Sequence, residues 1–248
     1  MVTSPDILVG LQWGDEGKGK IVDHLAKNYD WVVRYQGGSN AGHTVYIEGE
    51  KFVLHMIPTG ILRPDCKVVI AAGCVVNPSE LLEEIEGLEK LGIDLEGRLF
   101  ISDKCHVTTE THLEEDKENQ LKFGSTGKGI GPTYRDKVYR KGIRFREYML
   151  DGDFRKTLGY SPKFIDSPLD NYITNTEELL RDVIDRGERV LLEGAQGTLL
   201  DLDYGTYPDV TSTSCVAQYA PVGSGLPLSL FSSTQVYGVV KAFATRVG

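Results

Sequence analysis

Residues 10–20 read Gly-Leu-Gln-Trp-Gly-Asp-Glu-Gly-Lys-Gly-Lys, a loop whose residue types and spacing could do phosphate chemistry. Glycines let backbone N–H groups turn inward and approach an anion closely. Lys18 and Lys20 add full positive charges, and a helix beginning at the loop adds partial ones. Asp15 lies inside this cradle, where repulsion from a bound phosphate would be costly. An acid in that position suggests a metal ligand or a general base. The run from Gly14 to Lys20 fits the G-x-x-x-x-G-K part of a P-loop, but Ile21 stands where Ser or Thr would hold magnesium. The loop is therefore P-loop-like rather than a strict Walker loop. The plain alternative is a glycine-rich turn with surface lysines, and the flanking elements weigh against it.

Those elements must hold the loop rigidly. Ile7, Leu8 and Val9 read as a buried strand within residues 6–10, and Ile21, Val22, Leu25 and Ala26 mark one face of a helix over about residues 17–28. A second strand, 31–35, runs into a second glycine-rich stretch, 36–44. Residues 45–47 and 52–55 flank Glu48-Gly49-Glu50-Lys51 as a hairpin, and 67–72 is a further strand. Asn77, Pro78 and Glu80 form a helix start, followed by an apolar face of Leu81, Leu82, Ile85, Leu88 and Leu91. Glu83, Glu84, Glu86 and Glu89 are expected on the solvated face, and Gly92 ends the helix.

Beyond it come a short strand at 99–101, an exposed acidic helix at 109–122 and a glycine-rich loop at 124–134. A basic segment follows, with Arg135, Lys137, Arg140, Lys141, Arg144 and Arg146. Residues 147–172 read as loops with short helices, 176–186 as a helix, 189–192 as a strand and 237–245 as a last strand-like element. Strands alternating with helices predict an α/β fold with a largely parallel central sheet flanked by helices. Ligands of such sheets bind beyond the carboxyl ends of the strands, where both glycine-rich loops and Gln196 fall. No repeat or linker divides residues 1–248, which read as a single domain.

The net charge of −9 argues against nucleic acid as a bulk partner, so an anion site needs local positive charge, which the loop lysines supply. No run of eighteen apolar residues suggests a spanning helix, and residues 1–6 lack the pattern of a signal peptide. Cys66, Cys74, Cys105 and Cys215 show no C-x-x-C pairing and read as reduced thiols of a cytoplasmic protein. His106 and His112 lie too far apart for one helical face, which argues against a metal site beside Cys105.

Read together, QWGDEGKGK and RYQGGSNAGHT closely resemble the adenylosuccinate synthetase family. Collinear matches follow: LHMIPTGIL at 54–62, GSTGKGIGPTY at 124–134, EGAQGTLLD at 193–201, YGTYPDVTS at 204–212 and VKAFATRVG at 240–248. The resemblance implies a ligase that joins IMP and L-aspartate at the expense of GTP, through a 6-phosphoryl-IMP intermediate. It implies Asp15 as general base and His43 as acid and stabiliser of the phosphoryl group. Magnesium would span the GTP phosphates, with Asp15 and the Gly42 carbonyl as ligands.

Carried over position by position, the IMP site comprises Asp15, Glu16, Gly17, Lys18, Asn40, Ala41, Gly42, His43, Thr126, Gln196 and Thr211. Arg140 matches an arginine that reaches the IMP phosphate of the neighbouring subunit, which implies a homodimer. The GTP phosphates would lie on Gly14, Asp15, Glu16, Gly17, Lys18, Gly19 and Lys20, and on Gly42, His43 and Thr44. The P-loop count makes Lys20 the phosphate lysine, whereas the family match makes it Lys18; the broken P-loop favours Lys18.

Two departures from the family pattern stand out. After Thr211 and Ser212 the usual Thr- and Gly-rich run is replaced by Thr213-Ser214-Cys215-Val216-Ala217-Gln218-Tyr219-Ala220-Pro221. The family's aspartate-binding and guanine-reading loops have no counterpart within these residues, so the domain is expected to be C-terminally incomplete. Two other readings stay open: a sibling ligase acting on a 2-amino purine deoxynucleotide such as dGMP, and a non-catalytic nucleotide-binding protein.

Overall fold

The computed structural model describes residues 3–47, 49–149 and 168–246. At its centre is a seven-stranded sheet in the order β11-β1-β10-β2-β5-β7-β9, parallel throughout. Its strands are β1 (Asp6–Gly10), β2 (Trp31–Arg34), β5 (Lys67–Ile70), β7 (Leu99–Ser102), β9 (Ile173–Thr174), β10 (Val190–Glu193) and β11 (Val236–Val239). The apolar runs alternate between two cores because successive strand side chains point to opposite faces. Leu8, Val32, Val68, Ile70 and Ile101 share one core with Val22 and Ala26 of α1 (Lys18–Ala26) and with Leu81 and Ile85 of α2 (Pro78–Lys90). Ile7, Val9, Trp31, Val33, Val69 and Leu192 share the other with Leu180, Val183 and Ile184, which lie on the helix Thr176–Asp185.

The hairpin is β3 (His43–Ile47) paired antiparallel with β4 (Glu50–Leu54), and Glu48 at its turn lies outside the described residues. Asn77 caps α2 as its sequence demands, accepting the backbone N–H groups of Ser79 and Glu80. Small paired strands, β6 (Val75–Val76) and β8 (His106–Val107), lie apart from the main sheet. They precede α3 (Glu110–Phe123) and α4 (Ile130–Val138).

Four expectations need correction. Glu84 does not sit on a solvated face: its carboxylate accepts the backbone N–H groups of His55, Met56 and Ile57 at 2.9, 2.9 and 3.2 Å. It thereby ties down the segment before the turn Thr59–Leu62. The acidic helix after Thr109 is not wholly exposed, for His112 and Asp116 are buried and Asp116 accepts the N–H of Gly129. The glycine-rich loop is shorter than its motif, since α4 begins at Ile130 behind the left-handed Gly129. The last strand ends at Val239 rather than continuing to Thr245. There the Gln12 side chain takes the place of a neighbouring strand, accepting from Lys241 N–H and donating to Lys241 C=O, both at 3.1 Å. Of the predicted loop segment 147–172, residues 150–167 lie outside the described residues, and the rest forms the helix Phe145–Met149 and the turn Pro168–Tyr172. Among the described residues no helix is long and apolar enough to cross a membrane.

Candidate active site

The carboxyl ends of β1, β2, β10 and β11 lie at one edge of the sheet because these neighbouring strands are parallel. Each end feeds a different wall of one cavity of about 740 Å³. From β1 comes the Gly14–Lys20 loop, from β2 the stretch around Asn40, and from β10 Gln196. Beyond β11 lies Arg246.

Glu16 organises the first loop from within. Its Oε1 accepts the N–H groups of Gln12 and Gly14 at 3.0 and 3.1 Å, and its Oε2 lies 2.5 Å from Lys18 Nζ. Gly17 then starts α1 from the left-handed region, φ 84°, which glycine adopts without strain. Gly19 permits a close approach: a Cβ there would lie 2.7 Å from His43 Cβ. The absence of a side chain at Gly19 thus lets His43 settle against the start of the helix.

His43 opens β3 and is buried. Its Nδ1 lies 2.6 Å from Glu193 Oε1 and 3.2 Å from Thr59 Oγ1. Glu193 also accepts Thr59 N–H at 2.9 Å and Thr59 O–H at 3.0 Å. Burial alone would push the Glu193 carboxyl up, but His43, the buried Arg34 guanidinium and the Thr59 N–H outweigh it and hold it low. Burial pushes the His43 imidazole below its ordinary range, against the pull of Glu193. The surroundings thus favour the ionised form of Glu193, and burial favours the neutral form of the ring.

Asp15 is exposed, and its Oδ2 accepts from Lys241 Nζ and Thr245 Oγ1, both at 2.8 Å. The hydrogen bond from Lys241, then that from Thr245, hold its carboxyl below the usual range. Asp15, Arg140 and Gln196 are the only non-glycine residues with positive φ among the described residues, at 58°, 63° and 54°. Such strain clusters at sites where the surrounding structure demands a particular direction of side chain or backbone. All three were picked out from the sequence as site residues.

The cavity is lined by Gly14, Asp15, Gly17, Lys18, Gly19 and Lys20 of the first loop and by Asn40, Ala41, Gly42, His43 and Thr44 of the second. Thr126, Gln196 and Thr211 complete the predicted residues that line it. Gln196 donates to Asn40 Oδ1 at 3.0 Å, joining two walls. Glu16 lies beneath the loop and Arg140 lies outside the cavity. Lys18 is buried against Glu16, whereas Lys20 is exposed and also borders an adjacent groove with Asp23, His24, Lys27 and Arg63.

Sequence reading missed Glu193, Thr59, Lys241 and Thr245, and it named Arg135 only as one of a basic segment. Glu193 and Thr59 stand within matched motifs, but only the packing brings them to His43. Arg135 lines the cavity and pairs with Glu115 and Asp136. The replaced run after Ser212 is anchored by Asp201, whose Oδ2 accepts from Ser214 O–H, Cys215 N–H and Val216 N–H at 2.8, 2.5 and 3.2 Å. That hub holds the wall formed by residues 208–212.

Asp15 and Gly42 offer hard oxygen donors on one cavity, and Asp15 already holds one cation, the Lys241 ammonium. Such a set fits magnesium, which takes few protein ligands and fills its other positions with water and phosphate oxygens. Among the described residues no cluster of three or more His, Cys, Asp or Glu side chains could cage a metal.

Fold and site together define a parallel α/β protein with a phosphate-type loop and an embedded acid at the carboxyl edge of its sheet. The chain belongs to the adenylosuccinate synthetase family, whose sequence profile matches residues 7–164 and 160–248. It is 47% identical over 274 aligned positions to the adenylosuccinate synthetase of Wolinella succinogenes, covering 98% of this chain and 64% of that protein. To that of Helicobacter pylori it is 45% identical, with 98% and 64% covered. The fully ligated adenylosuccinate synthetase from Plasmodium falciparum has a similar structure, with TM-score 0.87 at 32% identity over 99% of this chain and 63% of that one. The succinoaminodeoxyadenylate synthetase of cyanophage S-2L, bound to dGMP and dATP, superimposes with TM-score 0.77 at 25% identity, covering 96% and 64%. The chain thus spans less than two thirds of the length of these relatives.

Proposed function

We propose that the protein is an adenylosuccinate synthetase, ligating IMP and L-aspartate with cleavage of GTP to GDP and phosphate, the phosphate carrying away the 6-oxygen of IMP. The observation that carries this reading is the convergence of Asp15 and His43, from two separate glycine-rich loops, on one cavity. Asp15 takes the proton from purine N1, which makes the 6-oxygen nucleophilic. That oxygen attacks the γ-phosphorus of GTP, and GDP leaves. The amine of aspartate then attacks C6, phosphate leaves and the amine nitrogen loses its proton. Phosphorylation turns a poor leaving group into a good one.

His43 in its neutral form is ready to gain a proton as negative charge develops beside it, because a nearby anion favours the imidazolium. It then donates to the phosphoryl group in transit. Gly14, Gly17, Lys18, Gly19 and Lys20 would face the GTP phosphates, with Thr44. Asn40, Thr126, Gln196 and Thr211 would surround IMP. Asp15 and the Gly42 carbonyl would hold magnesium, which when bound neutralises phosphate charge.

Arg140 serves a partner subunit's site in a homodimer. Its strained backbone, its place outside its own cavity and the exposure of its neighbours Val138 and Tyr139, at 81% and 68%, support an interface there. A dGMP-directed sibling activity has less support, since the exocyclic amine beside N1 would crowd the Asp15 carboxylate. Calorimetry with IMP and dGMP in parallel tests the choice. Binding of IMP with little binding of dGMP is expected, and a preference for dGMP would overturn it.

A further inference from the structure

Glu193 uses its two oxygens for different tasks. Oε2 accepts the backbone N–H of Thr59, a donor that cannot turn away. Oε1 accepts the Thr59 hydroxyl and lies 2.6 Å from His43 Nδ1. A carboxylate only accepts, so the hydrogen in the short contact belongs to Nδ1. In the neutral imidazole the other nitrogen then carries a lone pair. We propose that Glu193 is a positioning residue that locks His43 in the Nδ1–H tautomer and keeps Nε2 as the nitrogen presented to the cavity. Its consequence for turnover rests on the role proposed above for His43; the lock itself does not.

The surroundings are built for this task. Glu193 is fully buried at the end of β10, where the sheet fixes its backbone. Thr59 is held at the start of its turn, and the preceding residues 55–57 are bound by Glu84. Arg34 is also fully buried, and its positive charge favours the ionised form of Glu193. When the ring gains a proton it must do so on Nε2, because Nδ1 is already occupied. The new positive charge then lies against the carboxylate. Glu193 itself neither gains nor loses a proton.

The same geometry dictates what an isosteric amide would do. In Glu193→Gln the side-chain oxygen must face Thr59 N–H, since an amide N–H₂ there would oppose a donor. The amide nitrogen then takes the position beside His43 Nδ1 and donates to it. The ring is forced into the opposite tautomer, with hydrogen on Nε2.

The test is ¹⁵N NMR of the imidazole nitrogens of His43, in the protein and in Glu193→Gln. The expected result is Nδ1–H in the parent and Nε2–H in the variant. An Nε2–H parent would overturn the proposal by itself, even if the variant failed to fold. The same tautomer in both proteins would also overturn it. Thr59→Val, which retains the carboxylate and the backbone donor, should keep the parent tautomer, and a switch there would mean that Thr59 sets it instead. With IMP, aspartate, magnesium and GTP, turnover of Glu193→Gln should fall on the order of 10²–10⁴-fold with nearly unchanged nucleotide affinity. A reversed tautomer with normal turnover would leave the lock standing and overturn the proposed role of His43.

Discussion

Lys241 Nζ lies 2.8 Å from Asp15 Oδ2, so the acid proposed as general base carries a counter-ion from the segment that follows β11. The contact exists because β11 lies directly beside β1 and Gln12 turns the chain back over the loop. It is the leading cause that holds the Asp15 carboxyl low, ahead of the Thr245 hydroxyl. Lys241→Met should therefore raise the titration midpoint of Asp15 toward the usual aspartate value. Carboxyl-detected ¹³C NMR reads that midpoint, and an unchanged value would show that Lys241 does not set it.

Replacing the base separates binding from chemistry. Asp15→Asn keeps the size of the side chain but leaves the N1 proton without an acceptor. IMP affinity should change little, while turnover falls about 10²–10⁴-fold. Parallel calorimetry and steady-state kinetics check this, and near-normal turnover would remove Asp15 from the chemistry.

Asp201 makes stability depend on pH. Burial would raise its carboxyl, but hydrogen bonds from Tyr204 N–H, Ser214 O–H, Cys215 N–H and Asp203 N–H outweigh it and lower the folded-state value. A depressed folded value stabilises the protein above the unfolded-state pKa, and the contribution is lost as pH falls through the folded one. In Asp201→Asn, either amide orientation turns an N–H₂ toward two backbone donors. The loss at pH 7 should be about 2–3 kcal/mol. Urea unfolding of both proteins at pH 7 and near pH 3 measures it, with the gap narrowing at the lower pH.

Arg140 can be tested by complementation. Arg140→Leu and His43→Asn should each be nearly inactive alone. If Arg140 serves a partner's site, mixed dimers contain one site with both defects and one with none. Activity should return on mixing after subunit exchange. No recovery would place the action of Arg140 within its own subunit.

The sequence by itself determined the parallel sheet, because its apolar runs alternate with amphipathic helices and its turns carry glycine or helix caps. It also marked Asp15, His43 and Gln196, which lie in long contiguous motifs whose glycines leave little freedom of interpretation, and Arg140, which lies in the basic segment after such a motif. Tertiary structure alone decided the partners of those residues. Glu193 is 150 positions from His43 in the chain but reaches it because β10 pairs with β2. Lys241 reaches Asp15 because β11 pairs with β1. Glu84 carries the helical spacing of a solvated residue, yet three backbone N–H groups from another segment claim its carboxylate. Periodicity records which face of an element is apolar. It carries no record of which distant donor or acceptor the packing brings against a polar group, and those encounters set the charge and direction of the groups in the site.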